Sequence, residues 1–188
     1  MDLHVDATGF FRELLLSALS NLQMSAQEPT EHYLVNLLAG YARDGRAQDL
    51  STPFVEQLGR ALQVNGAERI SRMRCLGDDA LFVSGFLQDS CARRGVTVTY
   101  CINIGSRAYG EAGRARFDVG PGAEVFHDLS ERFEAYTRVL DEVRELTAFA
   151  TDGELLRLYD RWTITQSPEV LKRLGRRGVF PVKASSGH

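Results

Sequence analysis

The chain has 188 residues, of which 44% are hydrophobic and 25% are charged. These proportions argue against a disordered chain, and a chain of this length can bury a hydrophobic core without disulfides or bound metals. The net charge of −3 argues against a dedicated nucleic-acid-binding protein, because such proteins are usually basic.

The N-terminal residues and the cysteines predict a cytoplasmic protein. Residues 1–6 carry two acids and no lysine or arginine, and the apolar run at 14–16 is soon interrupted by polar residues. Neither feature is typical of a signal peptide or a transmembrane span. Cys75, Cys91 and Cys101 are odd in number and show no metal-binding spacing, so we expect free thiols in a reducing compartment and no contact with a membrane.

Helical periodicity dominates the first third of the chain. Apolar residues recur at helical spacing in three segments, 8–22, 30–45 and 53–62, and each segment is predicted to be a helix. The third has the clearest start signal, with Thr52 at the cap and Pro53 at the first helical position. Proline loses no hydrogen bond there, because the first N–H groups of a helix have no partner within it.

The segment 67–93 is predicted to be the longest helix and the centre of the bundle. Its apolar residues lie on more than one face, which is typical of a helix with neighbours on several sides. Gly77, Ser84 and Gly85 would allow neighbouring backbones to approach closely.

Residues 96–113 fit two interpretations. Apolar residues alternate over 96–104 as in a strand, and the residue types also favour a strand. The apolar residues of the wider segment equally fit a helix. An otherwise helical chain offers no partner strand, and a lone strand leaves its backbone groups unpaired, so we predict a helix from Thr97.

The last third predicts three further helices. After a loop over 114–127, Asp128 is expected to cap a helix at 129–149. Thr151 and Glu154 form a capping box for the next helix, and a short helix follows at 167–174. The chain is therefore predicted to be all-α, a single-domain bundle of about seven helices in residues 1–178 around the helix 67–93, with a flexible tail at 179–188.

Four residues are candidate contacts for a ligand or partner: Asp78, Asp79, Arg107 and Tyr109. The two aspartates interrupt the apolar run of the central helix. Adjacent helical residues point about 100° apart, so these two are badly placed to share one proton as a catalytic pair. A buried aspartate would need a partner, such as Arg72 or Arg107.

Signals for other chemistries are weak. The segment 124–127 matches the Glu-x-x-His spacing of di-metal bundles once, with no second copy, so we expect no metal and no cofactor. The glycine-rich segment 103–110 matches no phosphate-binding loop and fits tight helix packing better. Residues 167–188 hold five basic residues against one acid, yet only Phe180 is aromatic, so we expect no nucleic-acid partner.

Without a catalytic constellation, the sequence favours a non-enzymatic protein that acts through protein partners and associates with itself. One alternative is a small-ligand sensor with a pocket in the bundle core. That pocket would be lined by aromatic side chains, namely Phe82, Phe86, Tyr100, Tyr109 and Trp162. The other alternative is a metal-dependent helical enzyme that uses Glu124, His127 and the two aspartates.

Overall fold

The computed structural model describes residues 7–44, 52–93, 95–114 and 122–165, and single residues between 167 and 174. Within these ranges the chain forms eight α-helices and no strand, so the predicted all-α class is confirmed. The helices are α1 (Ala7–Asn21), α2 (Glu28–Asp44), α3 (Phe54–Leu62), α4 (Gly66–Gly85), α5 (Gln88–Arg93), α6 (Val98–Gly113), α7 (Ala123–Glu131) and α8 (Phe133–Thr165). The predicted tail at 179–188 and the boundary at 178 lie outside the described residues.

The ambiguous segment after residue 96 is a helix, as predicted. Thr97 caps α6, and its side-chain oxygen accepts a hydrogen bond from the backbone N–H of Tyr100 at 3.1 Å. This contact satisfies a helix N-terminal donor that would otherwise have no partner. Local strand propensity is therefore overridden by a cap and by packing against neighbouring helices.

The predicted helix 67–93 is two helices. α4 ends at Gly85, and the N–H groups of Phe86 and Leu87 both donate to the carbonyl of Phe82, at 2.8 and 3.1 Å. The second of these bonds spans five residues, which ends the regular ladder before α5 begins at Gln88.

Three predicted helix caps are wrong, namely those at Thr52, Asp128 and Thr151. α3 begins at Phe54 with Pro53, not Thr52, at the cap position. Asp128 lies inside α7 and caps nothing. The predicted helix at 129–149 is divided between α7, which begins at Ala123 and ends at Glu131, and α8, which begins at Phe133.

The capping box at Thr151 and Glu154 opens no helix, since α8 continues through it to Thr165. Extending an existing helix adds a hydrogen bond per residue without a new nucleation cost, which outweighs a local capping preference.

The core of the first compact unit, residues 1–144, is built around α4, as predicted. α6 packs along α4 and also against α7, α1 packs on α2, and α3 packs on α4. Small residues allow these helices to approach. A side chain at Gly105 of α6 would overlap the Phe133 ring and lie 2.9 Å from the Ala80 methyl group, and one at Gly85 would lie 2.9 Å from the carbonyl of Thr137.

Residues 145–188 form a second compact unit. In its described part, Trp162, Val170 and Leu174 are buried together, and the Tyr159 ring lies 6.2 Å from that of Trp162. None of the helices in the described ranges combines the length and the apolar composition that a membrane span requires.

The two mid-helix glycines Gly105 and Gly40 are expected to respond oppositely to replacement by alanine. Gly105→Ala forces a methyl group into the Phe133 ring, so the free energy of unfolding should fall by about 1–3 kcal/mol. Gly40→Ala meets no atom within 4 Å, so it should raise that free energy by about 0.5–1 kcal/mol through helix propensity. Denaturant unfolding followed by circular dichroism measures both. Equal effects at the two positions would contradict the packing described here.

Candidate functional site

Asp78 of α4 lies between α2 and α6. Its Oδ1 accepts hydrogen bonds from the hydroxyl groups of two tyrosines, Tyr33 of α2 at 2.5 Å and Tyr109 of α6 at 2.8 Å. One oxygen atom therefore joins three helices. Two donors on a partly buried carboxylate compensate for the water that it loses on folding.

Asp79, the next residue, has a different partner. Its Oδ1 accepts a hydrogen bond from the hydroxyl of Tyr41, which lies two turns after Tyr33 on α2. The Tyr41 ring is stacked on Phe82, with ring centroids 4.0 Å apart. The two carboxylates thus bind separate tyrosines, as the 100° step between helical neighbours requires.

The ring of Tyr109 is fully buried, and its position explains a small residue on α4. A side chain on Gly77 would lie 2.6 Å from two carbon atoms of that ring. Around it pack Phe126 and Phe133, with centroids 5.9 and 5.8 Å away. Gly77 is therefore the reason that Tyr109 can reach Asp78.

Arg107, the fourth candidate, does not join this cluster. It is exposed on α6, two residues before the buried Tyr109 and hence on the opposite side of the helix. Arg72 is not a partner of Asp78 either, because it binds Glu68 at 2.6 Å. The nearby cation is Arg74, one turn before Asp78 on α4; its Nε is buried without a hydrogen-bond partner in the described part of the chain.

The surroundings of Asp78 change its acidity. Burial raises the pKa of its carboxyl group to about 6, and the hydrogen bonds from Tyr33 and Tyr109, together with the charge of Arg74, limit the rise. Burial and the adjacent Asp78 carboxylate raise the pKa of both tyrosines well above the ordinary value. The phenols therefore stay protonated as donors, while Asp78 gains or loses its proton near pH 6.

Two of these tyrosines were not predicted as site residues. Tyr33 and Tyr41 occur at positions that helical spacing assigned simply to the apolar side of the second helix. Their hydroxyl groups gain significance only because α2 crosses the two aspartates of α4. Two adjacent acids within an apolar run indicate that buried hydrogen-bond donors are needed. The sequence does not show which helix supplies these donors.

A second polar cluster surrounds Asp128. Its Oδ2 accepts hydrogen bonds from Thr30 of α2 at 2.8 Å and from Tyr136 of α8 at 2.6 Å, and Arg132 approaches its Oδ1 at 3.4 Å. The side chain thus links α2, α7 and α8. Burial, followed by the hydrogen bond to Asp128, raises the pKa of Tyr136.

The other candidates have ordinary neighbours. His127 lies 3.3 Å from Glu131 on the exposed side of α7, and no three metal-binding side chains meet within the described ranges. In the glycine-rich segment, Ser106 and Ser130 each donate a hydrogen bond to the other's backbone carbonyl, at 2.8 and 2.9 Å. This reciprocal pair fastens α6 to α7.

No protein-family model, curated protein or solved structure matches this chain.

The stability of the protein should respond to the proton on Asp78. Between about pH 4 and pH 6 the unfolded chain loses this proton while the folded protein retains it. This residue's contribution to the free energy of unfolding therefore falls as pH rises, by up to about 3 kcal/mol, since one pKa unit is worth about 1.4 kcal/mol. It is constant above about pH 7.

Asp78→Asn isolates this contribution. Because both tyrosines donate to Oδ1, the amide oxygen of asparagine can accept both bonds. The difference in unfolding free energy, variant minus wild type, should increase from pH 4 to pH 6 and then level off in urea titrations. A difference that is constant over this interval would show that the pKa of Asp78 is the same in the folded and unfolded chain, and one that decreases would show that folding lowers it; either result would contradict the prediction.

Proposed function

We propose that this chain is a non-enzymatic helical protein of the cytoplasm that acts through protein partners, the first of them a second copy of itself. The candidate side chains best suited to catalysis or ligand binding form hydrogen bonds inside the fold. Asp78, Asp79 and Tyr109 hydrogen-bond to other side chains within the protein. These hydrogen bonds favour a structural role for the three residues, so we expect surface residues to bind the partners.

The outer face of α3 is the observation on which the proposal depends. Phe54 and Ala61 of this helix are buried, whereas Val55 and Leu62 are 65% and 47% exposed. These exposed residues are seven apart, so they lie on one side of the helix, two turns from each other. Gly59 lies between them, and the space where its side chain would be is open.

This face is complementary to itself. In an antiparallel pair of α3 helices related by a two-fold axis, Val55 of one copy faces Leu62 of the other, and the two glycines meet near the axis. The same arrangement brings Glu56 of each copy close to Arg60 of the other; within one chain these two residues form an exposed ion pair at 2.5 Å. In this arrangement each apolar residue faces an apolar residue of the other copy, and each charged residue faces one of opposite charge.

The expected dimer is weak. A nine-residue helix is about 14 Å long at 1.5 Å per residue, and its outer face cannot supply the 1,200 Å² or more of a standard interface. We therefore propose an association that depends on concentration. The cytoplasmic assignment is supported by the three cysteines, which form no disulfide and of which Cys91 and Cys101 are buried.

Sedimentation velocity over a wide concentration range tests the dimer. The wild type should shift from the mass of one chain to that of two as concentration rises, and Val55→Asp should abolish the shift, because it would bury a carboxylate in the interface.

Leu16→Asp is the control, since Leu16 is an exposed apolar residue on another helix, α1, at 44% against 47% for Leu62 of α3. It should dimerise like the wild type. A wild type that remains monomeric at every concentration, or a Val55→Asp variant that dimerises normally, would overturn the proposal.

A further inference from the structure

We propose that a cleft between residues 22–25 and the start of α8 binds the anionic group of a small organic molecule. The cleft lies entirely within the first compact unit and has a volume of about 360 Å³, within the range of small-molecule sites. It is lined by Leu22, Gln23, Met24, Ser25, Arg132, Ala135 and Arg138. This site is separate from the outer face of α3 and does not depend on the proposed dimer.

The charge of the lining indicates an anion. Both charged residues of the lining, Arg132 and Arg138, are cationic. They lie three residues before and three residues after Ala135, and all three line the cleft. A planar guanidinium group binds carboxylate or phosphate with two parallel hydrogen bonds, which suits it to this chemistry. The ion pairs between described residues do not include Arg138, and this residue is exposed.

Arg132 is held in position before any ligand arrives. Its Nη2 donates to the backbone carbonyl of Ser25 at 2.8 Å, and its guanidinium carbon lies 5.2 Å from the centre of the Tyr136 ring. Asp128 forms an ion pair with its Nη1 at 3.4 Å, so Arg132 positions the ligand and Arg138 supplies the uncompensated charge of the lining. Prior positioning of a binding group lowers the entropy lost on association.

Gln23 contributes an uncharged polar side chain to the lining of the cleft. It is the non-glycine residue with positive φ, 52°, in the described part of the chain, and it lies two residues after α1 ends at Asn21. Glycine is the usual residue at this left-handed position, where a side chain costs free energy. The conformation ends α1, since the N–H groups of Gln23 and Met24 donate to the carbonyls of Ser20 and Leu19 at 3.1 and 2.9 Å. The side-chain amide of Gln23 is a donor that an anion can use.

The remaining lining residues define the rest of the ligand. Leu22 is 41% exposed, and Met24 and Ala135 add further apolar surface. A molecule with a short hydrocarbon body and one carboxylate or phosphate group fits this combination of apolar surface and cations.

Isothermal titration calorimetry with hexanoate tests the proposal, with uncharged hexanamide and inorganic phosphate as comparison probes. We expect saturable binding of hexanoate that weakens with added salt, weaker binding of phosphate, and none of hexanamide. Arg138→Gln should weaken hexanoate binding at least about tenfold, the effect expected for loss of a charge-assisted contact. Arg107→Gln, which removes an exposed arginine elsewhere, should leave it unchanged.

Gln23→Gly separates a ligand role from a structural one. This change should raise the melting temperature, because glycine suits the backbone at this position, while it weakens hexanoate binding severalfold. Three results would overturn the proposal: no saturable binding of either anion, equal binding of hexanamide, or normal binding by Arg138→Gln.

Discussion

The close approach of α6 and α8 to α4 is the constraint on which the first compact unit depends. Interior packing leaves few voids, so two helices can come this near only where one of them lacks a side chain. Gly77 makes room for the ring of Tyr109, and Gly85 makes room for the backbone of α8 around Thr137. The hydroxyl groups of Ser84 and Thr137, 3.2 Å apart, then form a buried hydrogen bond across the same contact.

This packing brings two carboxylates of a central helix toward the interior, where each must find donors. Tyrosine is suited to the task because its ring adds apolar contact while its hydroxyl reaches the acid. Tyr33 and Tyr109 donate to Asp78, and Tyr41 donates to Asp79. Hydrogen bonds therefore join α2 to α4 at two points along its length. Along residues 76–86, the small residues therefore allow neighbouring helices to approach, and the two aspartates hydrogen-bond to them.

The candidate site was predictable only in part. Asp78 and Tyr109 were both selected from the sequence, and they meet, because an acid in an apolar run and a tyrosine on a small-residue face both belong to buried surfaces. Arg107 was selected for its chemistry alone and is exposed, since its position on α6 faces away from α4. The cleft beside α8 was not foreseen at all. Its lining comes from two segments that are more than 100 residues apart, and the backbone conformation of Gln23 has no signal in residue type.

Local physics accounts for what the sequence alone determined. Helical spacing of apolar residues and the cap at Thr97 act within a few residues, so the all-α class, the central position of α4 and the helical state of α6 could all be predicted. The break after Gly85, the uninterrupted course of α8 through Thr151, and the pairing of each acid with its tyrosine were decided by the tertiary structure. Those features depend on where helices cross, and a crossing is set by the shapes of two surfaces at once, which neither segment specifies by itself.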